Sequence, residues 1–155
     1  MNENDVVVEA WNTILFDKFV RFKHLLIEGL SGHSRELLSR PLFRPGDHVL
    51  DIGCGFGDCT QIIAQHVGDD GRAVGVDCAD NFIRASERDA AAAGVRNATY
   101  FRADVQGDEL RGPYDHAFAR SGTMFFNLPA GAIRNIRAAL QPGGTTVVVS
   151  RCRMT

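Results

Sequence analysis

Three glycines at alternate positions, Gly53, Gly55 and Gly57, follow a short apolar run in the stretch VLDIGCGFGDCT. Glycine adopts positive φ angles readily and lets a ligand touch the main chain. The amides at the start of a helix also attract a polar or anionic group, because the helix dipole is positive there. The spacing therefore predicts a ligand-binding turn between a buried strand and a helix.

A carboxylate completes this candidate site. Asp77 ends the next apolar run, 20 residues after Gly57. From that place an acid can accept hydrogen bonds from both hydroxyl groups of a ribose. The two signals together predict a site for an adenosine-like ligand with a free ribose. A nicotinamide dehydrogenase is disfavoured, because its turn usually has the spacing G-x-G-x-x-G.

Short apolar strands alternate with amphipathic helices from residue 44 onward, which predicts an α/β domain with a parallel sheet covered on both faces. Asp80 is predicted to be a helix N-cap, and Pro142-Gly143-Gly144 is predicted to turn the chain into the last strand. The predicted strands are 48–52, 73–77, 98–103, 115–119 and 145–149, and the predicted helices are 59–67, 80–93 and 129–140.

The N-terminal part is predicted to be helical over residues 5–39, with a break near Gly29–Gly32 and an end before Pro41. Its apolar arc is wider than a surface helix needs. Two interpretations stay open: the helix packs only against the core, or it also roofs a ligand pocket or meets a partner chain. The arc consists of two adjacent stripes, Trp11, Leu15, Phe19, Phe22 and Leu26, and Phe16, Val20 and Ile27.

Composition narrows the classes of partner. A net charge of -2 with scattered basic residues gives no reason to expect nucleic acid or a membrane as a partner. The start of the chain lacks the plan of a signal peptide, so we expect a cytoplasmic protein. The cysteines have neither zinc-site nor redox-motif spacing, which predicts free thiols and no metal site. These cysteines are Cys54, Cys59, Cys78 and Cys152.

The pattern D-x-G-x-G-x-G over residues 51–57 resembles motif I of the class I S-adenosylmethionine-dependent methyltransferases. The resemblance continues through Asp77, through residues 103–105 after the third strand, and through residues 140–144 before the fifth. It implies a Rossmann-like, doubly wound parallel sheet of order 3-2-1-4-5. The chain would form one domain over residues 1–155, with N-terminal helices over 1–40 and the core over 41–155.

The resemblance also implies S-adenosylmethionine as cofactor and S-adenosylhomocysteine as product. Asp51 would orient the turn and the ammonium group of the methionine part, and Asp77 would hold the ribose hydroxyls. Asp104 would face the adenine amino group. The implied cofactor-binding residues are Asp51, Gly53, Cys54, Gly55, Gly57, Asp77, Cys78, Ala103, Asp104, Val105 and Arg120.

The segment after the fourth strand bears on the methyl acceptor. It is FARSGTMFFN, without the Asn/Asp-Pro-Pro-aromatic run of enzymes that methylate amide or nucleobase nitrogens. It resembles instead the small-molecule branch, which includes ubiquinone/menaquinone-type methyltransferases. This implies in-line methyl transfer to a small molecule, driven by positioning rather than by an obligatory triad. The alternative is a non-catalytic module that binds the cofactor or activates a partner. The candidate substrate-pocket residues are Trp11, Phe16, Ser121 and Met124.

The family fold continues after the fifth strand with a helix and two more strands, whereas this sequence ends at Thr155. We therefore expect a shortened polypeptide, a natural fragment or a protein completed by a partner. The fifth strand, with Val147–Val149, would be an exposed sheet edge that invites pairing. The sequence thus predicts a homo-oligomer or a partner chain that covers this edge.

Overall fold

The computed structural model describes residues 3–150, without the side chains of residues 3, 4, 30, 31 and 33. Its centre is a five-stranded parallel sheet of order β3-β2-β1-β4-β5, which confirms the predicted fold. The order places β1 and β4 side by side at the centre, so the turns that follow these strands lie at one edge of the sheet. The strands are β1 His48–Ile52, β2 Arg72–Asp77, β3 Ala98–Arg102, β4 Tyr114–Arg120 and β5 Leu140–Val149.

Six α-helices accompany the sheet over the described residues. A π-helical turn separates the first two, and a 3₁₀ turn follows β4. The helices are α1 Glu3–Ala10, α2 Phe16–Arg21, α3 Lys23–Leu38, α4 Asp58–Val67, α5 Asp80–Ala92 and α6 Pro129–Ala139. The π-helical turn is Trp11–Leu15 and the 3₁₀ turn is Gly122–Phe125.

Both faces of the sheet are buried, which explains why the strands are continuous apolar runs rather than alternating ones. Neighbouring residues of a strand point to opposite faces. On β1, Val49 packs with Ile63 and Val67 of α4, while Leu50 packs in a second cluster with Ile136 of α6. The sheet therefore holds its carboxyl edge rigidly between two helical layers.

The predicted break near Gly29–Gly32 is wrong. Helix α3 runs through both glycines from Lys23 to Leu38, and the interruption lies at Phe22, where φ is -109° and ψ is 18°. A glycine inside a helix costs only about 1 kcal/mol relative to alanine, so packing overrides it. Leu38 is buried in the cluster that α4 shares with β1, and this anchors the C-terminal end of α3.

The predicted N-cap at Asp80 is also wrong. Ala79 occupies the N-cap of α5 in an extended conformation, and its amide donates to Asp77 Oδ1 at 3.0 Å. Asp80 instead lies in the first turn of α5. A negative charge there interacts favourably with the helix dipole without capping. Asp77 thus fixes the main chain at the residue that precedes the first turn of α5.

Strand β5 begins at Leu140, immediately after α6, rather than at the predicted Thr145. Its ladder pairs Tyr114 with Leu140 and then His116 with Thr145, so residues 141–144 form a bulge. The predicted Pro-Gly-Gly turn is therefore part of the strand. Gly143 has a φ of 83°, which is the conformation that a glycine supplies in such bulges.

Strand β5 lies at the edge of the sheet, as predicted, and Val148 is 50% exposed.

Cys54, Cys59 and Cys78 are free thiols, whereas Cys152 lies outside the described residues. Within residues 3–150, no group of His, Cys, Asp or Glu is arranged to hold a metal ion. None of the helices in that range has the length and apolar character that a bilayer crossing requires.

Candidate functional site

The glycine-rich turn links β1 to α4 and is tied to β2 by the main chain. Its three glycines have φ angles of 63°, 53° and 75°, all in the left-handed region. The Cys54 amide donates to the Val76 carbonyl at 3.0 Å, and the Gly57 amide donates to the Cys54 carbonyl at 2.9 Å. Gly57 is the N-cap of α4. The turn is therefore a fixed loop at the positive end of that helix.

Each glycine of the turn has a different neighbour. A Cβ on Gly57 would lie 2.8 Å from Ser86 Cβ and from the Tyr100 ring, so this glycine lets α5 and β3 approach the turn. A Cβ on Gly53 would lie 3.1 Å from Gly122 Cα. A Cβ on Gly55 would meet no described atom within 4 Å. Only at Gly55 is the main chain bare toward open space, which is the cradle that a ligand needs.

Asp77 is oriented by two main-chain amides. Its Oδ2 accepts from Gly55 at 3.1 Å and its Oδ1 accepts from Ala79 at 3.0 Å. Burial raises the pKa of Asp77, and these hydrogen bonds oppose the shift. Asp77 lines the cavity described below, where a carboxylate can accept hydrogen bonds from the hydroxyl groups of a ligand. The geometry thus fits a ribose.

A cavity of about 410 Å³ opens beside the turn. Its volume lies in the range of small-ligand sites. The carboxyl edge of the sheet supplies one wall, and the N-terminal helices supply the other. The lining residues of the sheet edge and its loops are Gly53–Phe56, Asp58, Val76–Cys78, Phe82, Ala103–Gln106, Arg120–Gly122 and Met124–Phe126. Those of the N-terminal helices are Val7, Val8, Trp11, Phe19, Leu26 and Ile27.

Most of the sequence-predicted site residues meet in this cavity. Of the predicted cofactor-binding set, Asp51 and Gly57 do not line it. Of the predicted substrate-pocket set, Trp11, Ser121 and Met124 line it, and Phe16 does not. Phe16 packs instead against Phe56 and Phe82, at ring distances of 6.2 and 5.0 Å. Between the two interpretations of the N-terminal helices, the structure favours the one in which they roof a pocket.

Asp51 lies beneath the turn and is only 1% exposed. Its Oδ2 accepts a hydrogen bond from the Thr60 hydroxyl at 2.6 Å. Burial raises the pKa of Asp51 to about 7, against the lowering effects of Thr60 and Arg120. Asp51 is therefore a buried residue beneath the turn, held by Thr60, and does not line the cavity.

Arg120 ends β4 and makes a two-pronged ion pair with Asp58, the first residue of α4. Its Nη1 and Nη2 each donate to one Asp58 carboxylate oxygen at 2.7 Å. Nη1 also donates to the hydroxyl of Ser34, in α3, at 3.2 Å. Burial alone would lower the pKa of Arg120, but hydrogen bonding to Asp58 outweighs it, so the pKa is raised. The guanidinium is therefore a fixed cation at the cavity wall.

An aromatic cluster joins the N-terminal helices to the turn. Trp11 lies 4.9 Å from Phe125 and 5.4 Å from Phe19, measured between ring centres, and both contacts are edge-on. Two hydrogen bonds between Asn12 and Asn81 fix the π-helical turn to α5, at 3.0 and 2.6 Å. These contacts hold the roof over the cavity.

The sequence analysis missed several residues of the site. Asp58 could have been predicted from the sequence, because an acid directly after the last glycine lies in the first turn of the following helix and so next to the turn. Gln106 gives a weaker one, since it follows the predicted Ala103–Val105 segment. No local pattern distinguishes the apolar residues of the roof from ordinary core residues. These are Val7 and Val8.

A family model described as a methyltransferase domain matches residues 49–144, which is more than half of the chain. The chain therefore belongs to this methyltransferase family. The strand order and the glycine motif with its strand-end acids are those of the class I S-adenosylmethionine-dependent methyltransferases.

Two curated relatives and one solved structure illustrate the similarity. Nocamycin O-methyltransferase of Saccharothrix syringae is 35% identical over 113 residues, which cover 72% of this chain and 40% of the relative. Demethylmenaquinone methyltransferase of Symbiobacterium thermophilum is 42% identical over 63 residues, covering 41% of this chain and 25% of the relative. A SAM-dependent methyltransferase from Aquifex aeolicus has a TM-score of 0.64 at 17% identity, over 70% of this chain and 58% of that one.

The chain spans between a quarter and about half the length of the first curated relatives that it matches, namely 25%, 40% and 52%. The family match over residues 49–144 runs from β1 through the glycine-rich turn to the first part of β5.

Proposed function

We propose that the protein binds S-adenosylmethionine along the glycine-rich turn and transfers its methyl group to a small, largely apolar molecule. One observation carries this proposal. The bare main chain at Gly55 and the oriented carboxylate of Asp77 open into the same cavity as the apolar side chains Trp11 and Met124. A cofactor and an acceptor can therefore meet there.

The proposed roles follow from the positions of the groups. Asp77 accepts hydrogen bonds from the ribose hydroxyls, and Gly55 allows the cofactor to lie against the main chain. Asp104 and Cys78, which both line the cavity, contact the adenine end. Arg120 contributes a fixed cation for an anionic group of the ligand.

Catalysis in this proposal depends on alignment. The methyl group of a sulfonium is already activated, so the protein has to hold the acceptor atom in line with the sulfur. The apolar roof excludes water from the reacting atoms, and Ser121 and Met124 border the acceptor. Positioning of this kind lowers a barrier by several kcal/mol, and by roughly 7–11 kcal/mol in the best intramolecular cases.

The acceptor class is supported by the lining of the cavity and by the relatives. The N-terminal helices contribute only apolar side chains to the cavity over the described residues, which suits an apolar acceptor. Relatives named for nocamycin and demethylmenaquinone methylation support a small-molecule acceptor.

The free thiols of Cys54, Cys59 and Cys78 support a reducing, cytoplasmic location. For the β5 edge, with Val148 half exposed, we propose a second copy of the chain as partner.

The test has two stages. Calorimetry with S-adenosylmethionine, S-adenosylhomocysteine and NAD is expected to detect the first two and not the third. Product analysis by mass spectrometry against a metabolite panel is then expected to find a methylated small molecule. Binding of NAD alone contradicts the proposal. Binding of the cofactor without transfer to any acceptor indicates the alternative, a non-catalytic cofactor-binding module.

A further inference from the structure

Asp58 of α4 and Arg120 of β4 line the cavity, and the buried Ser34 of α3 contacts Arg120 from behind the lining. From this geometry we propose that Asp58 and Ser34 are positioning residues that act through Arg120. Asp58 aims the guanidinium at the ligand, and Ser34 couples the placement of α3 to it. The inference rests on the proposed function, because the ligand it concerns is the proposed cofactor.

The planar guanidinium has five N–H donors in a rigid arrangement. Asp58 takes one hydrogen of Nη1 and one of Nη2, and Ser34 takes the other hydrogen of Nη1. The Nε hydrogen and the second Nη2 hydrogen lie together on the remaining edge of the plane. That edge is itself a fork that fits a carboxylate. Arg120 can thus bind a carboxylate through two parallel hydrogen bonds, such as the carboxylate in the methionine part of S-adenosylmethionine.

The ion pair is partly withdrawn from water, with side-chain exposures of 14% for Arg120 and 18% for Asp58. In such surroundings a charge that loses its partner is strongly disfavoured. Asp58 therefore keeps Arg120 in one orientation before a ligand arrives. An arginine that is oriented in advance loses less side-chain freedom on binding.

Ser34 extends this arrangement to the roof. Its side chain is fully buried, and the same helix delivers Leu26 and Ile27 to the cavity. A ligand that holds Arg120 in place therefore also favours the docked position of α3. By linkage, docking of α3 strengthens ligand binding by the same factor.

The first experiment uses Ser34→Ala, with Ser39→Ala as the matched control. Ser39 is an exposed serine at the end of the same helix, and its hydroxyl donates to the Glu36 carbonyl at 2.7 Å. Hydrogen exchange of the full chain is followed with and without S-adenosylhomocysteine. In the parent protein and the control, the ligand is expected to slow exchange in both α3 and the turn over residues 53–57.

In Ser34→Ala, the ligand is expected to protect the turn but no longer α3, and its affinity is expected to fall about five- to tenfold. Equal protection of α3 in this variant overturns the inference. Absence of any protection in the parent protein overturns the proposed function instead, so the two failures are distinguishable.

The second experiment is a double-mutant cycle of Asp58→Asn and Arg120→Lys on S-adenosylhomocysteine affinity. Each single change is expected to weaken binding about tenfold, and the double change about as much as the worse single one, because both act through one fork. Asp58→Glu keeps the charge and is expected to restore most of the affinity. Additive losses, or no recovery with Asp58→Glu in a folded protein, overturn the role of Asp58.

Discussion

The main-chain amide of Gly55 donates a hydrogen bond to Asp77 Oδ2 at 3.1 Å, although 22 residues separate the two. The contact exists because β1 and β2 are neighbouring parallel strands whose carboxyl ends meet at one edge of the sheet. The turn that would hold one part of the ligand thus also orients the acid that would hold another. Both groups are in place before a ligand binds.

Asp77→Ala is expected to weaken the binding of S-adenosylhomocysteine by about one to two orders of magnitude. A hydrogen bond that involves a charged group contributes roughly 1.5–3 kcal/mol, and about 1.4 kcal/mol corresponds to tenfold in affinity. Calorimetry measures the effect. Asp70→Ala, at an exposed acid of the loop before β2, is the control and should bind as the parent protein does. Unchanged affinity in Asp77→Ala would contradict the proposed site.

Gly57→Ala and Gly55→Ala form a matched pair, because both glycines have positive φ but only one is crowded. Gly57→Ala is expected to lower the free energy of unfolding by about 2 kcal/mol or more, through backbone strain and the 2.8 Å approach to Ser86 and Tyr100. Gly55→Ala is expected to cost about 1 kcal/mol from strain alone. Urea unfolding measures both.

The same pair separates stability from binding. The added methyl group of Gly55→Ala lies in open space at the cavity, so this variant is expected to lose ligand affinity while it remains folded. Equal stability losses in the two variants, with ligand binding retained in Gly55→Ala, would show that the bare main chain at Gly55 has no role.

The buried carboxyl of Asp51 is expected to make stability depend on pH. Burial raises its pKa from 3.8 to about 7, so between these values the folded protein holds a proton that the unfolded chain releases. Stability therefore falls as pH rises through this window, by at most about 1.4 kcal/mol per pH unit. Asp51→Asn removes this contribution. Urea unfolding of both proteins between about pH 4 and 7 checks it, and identical slopes would refute it.

Trp11 is the only tryptophan of the sequence, so its fluorescence reports on the cavity that it lines. Addition of S-adenosylhomocysteine is expected to change the emission, because the ligand alters the surroundings of the indole ring. In Asp77→Ala the same change should need about ten- to a hundredfold more ligand. Phe22→Ala, at an exposed position of the N-terminal segment, should respond as the parent does. If calorimetry detects binding but the emission spectrum does not change, the ligand does not lie near Trp11.

The exposed edge at β5 is expected to cause self-association. Val148→Lys places a charge on that edge, which is a common means by which proteins prevent strand pairing. Light scattering is expected to show an oligomer for the parent protein and a smaller species for this variant. Val20→Lys, on an exposed residue of α2, is the control. A parent protein that stays monomeric at micromolar concentration, with no exposed apolar surface by dye binding, would count against the partner.

Much of the fold follows from local patterns. Strand β1 occupies the predicted residues 48–52, and β2, β3 and β4 agree with the prediction to within one residue at either end. A strand buried on both faces is a continuous apolar run in any sequence. Two errors fall at element ends: Ala79 rather than Asp80 is the N-cap of α5, and β5 includes the predicted turn before Thr145. A third error, the break expected near Gly29–Gly32, falls inside α3. Strand ends depend on distant partners, as the Leu140 end of β5 depends on its pairing with Tyr114 of β4.

The sequence by itself determined the sheet, the glycine-rich turn and the acid that ends β2, because each is set by residues adjacent in the chain. Only the tertiary structure decided that Arg120 pairs with Asp58 and Ser34, which lie 62 and 86 residues away. It also decided that α1–α3 roof the cavity and that Phe16 packs behind it. Such contacts depend on strand order and helix packing, and hydrophobic periodicity shows that a face is buried without showing what covers it.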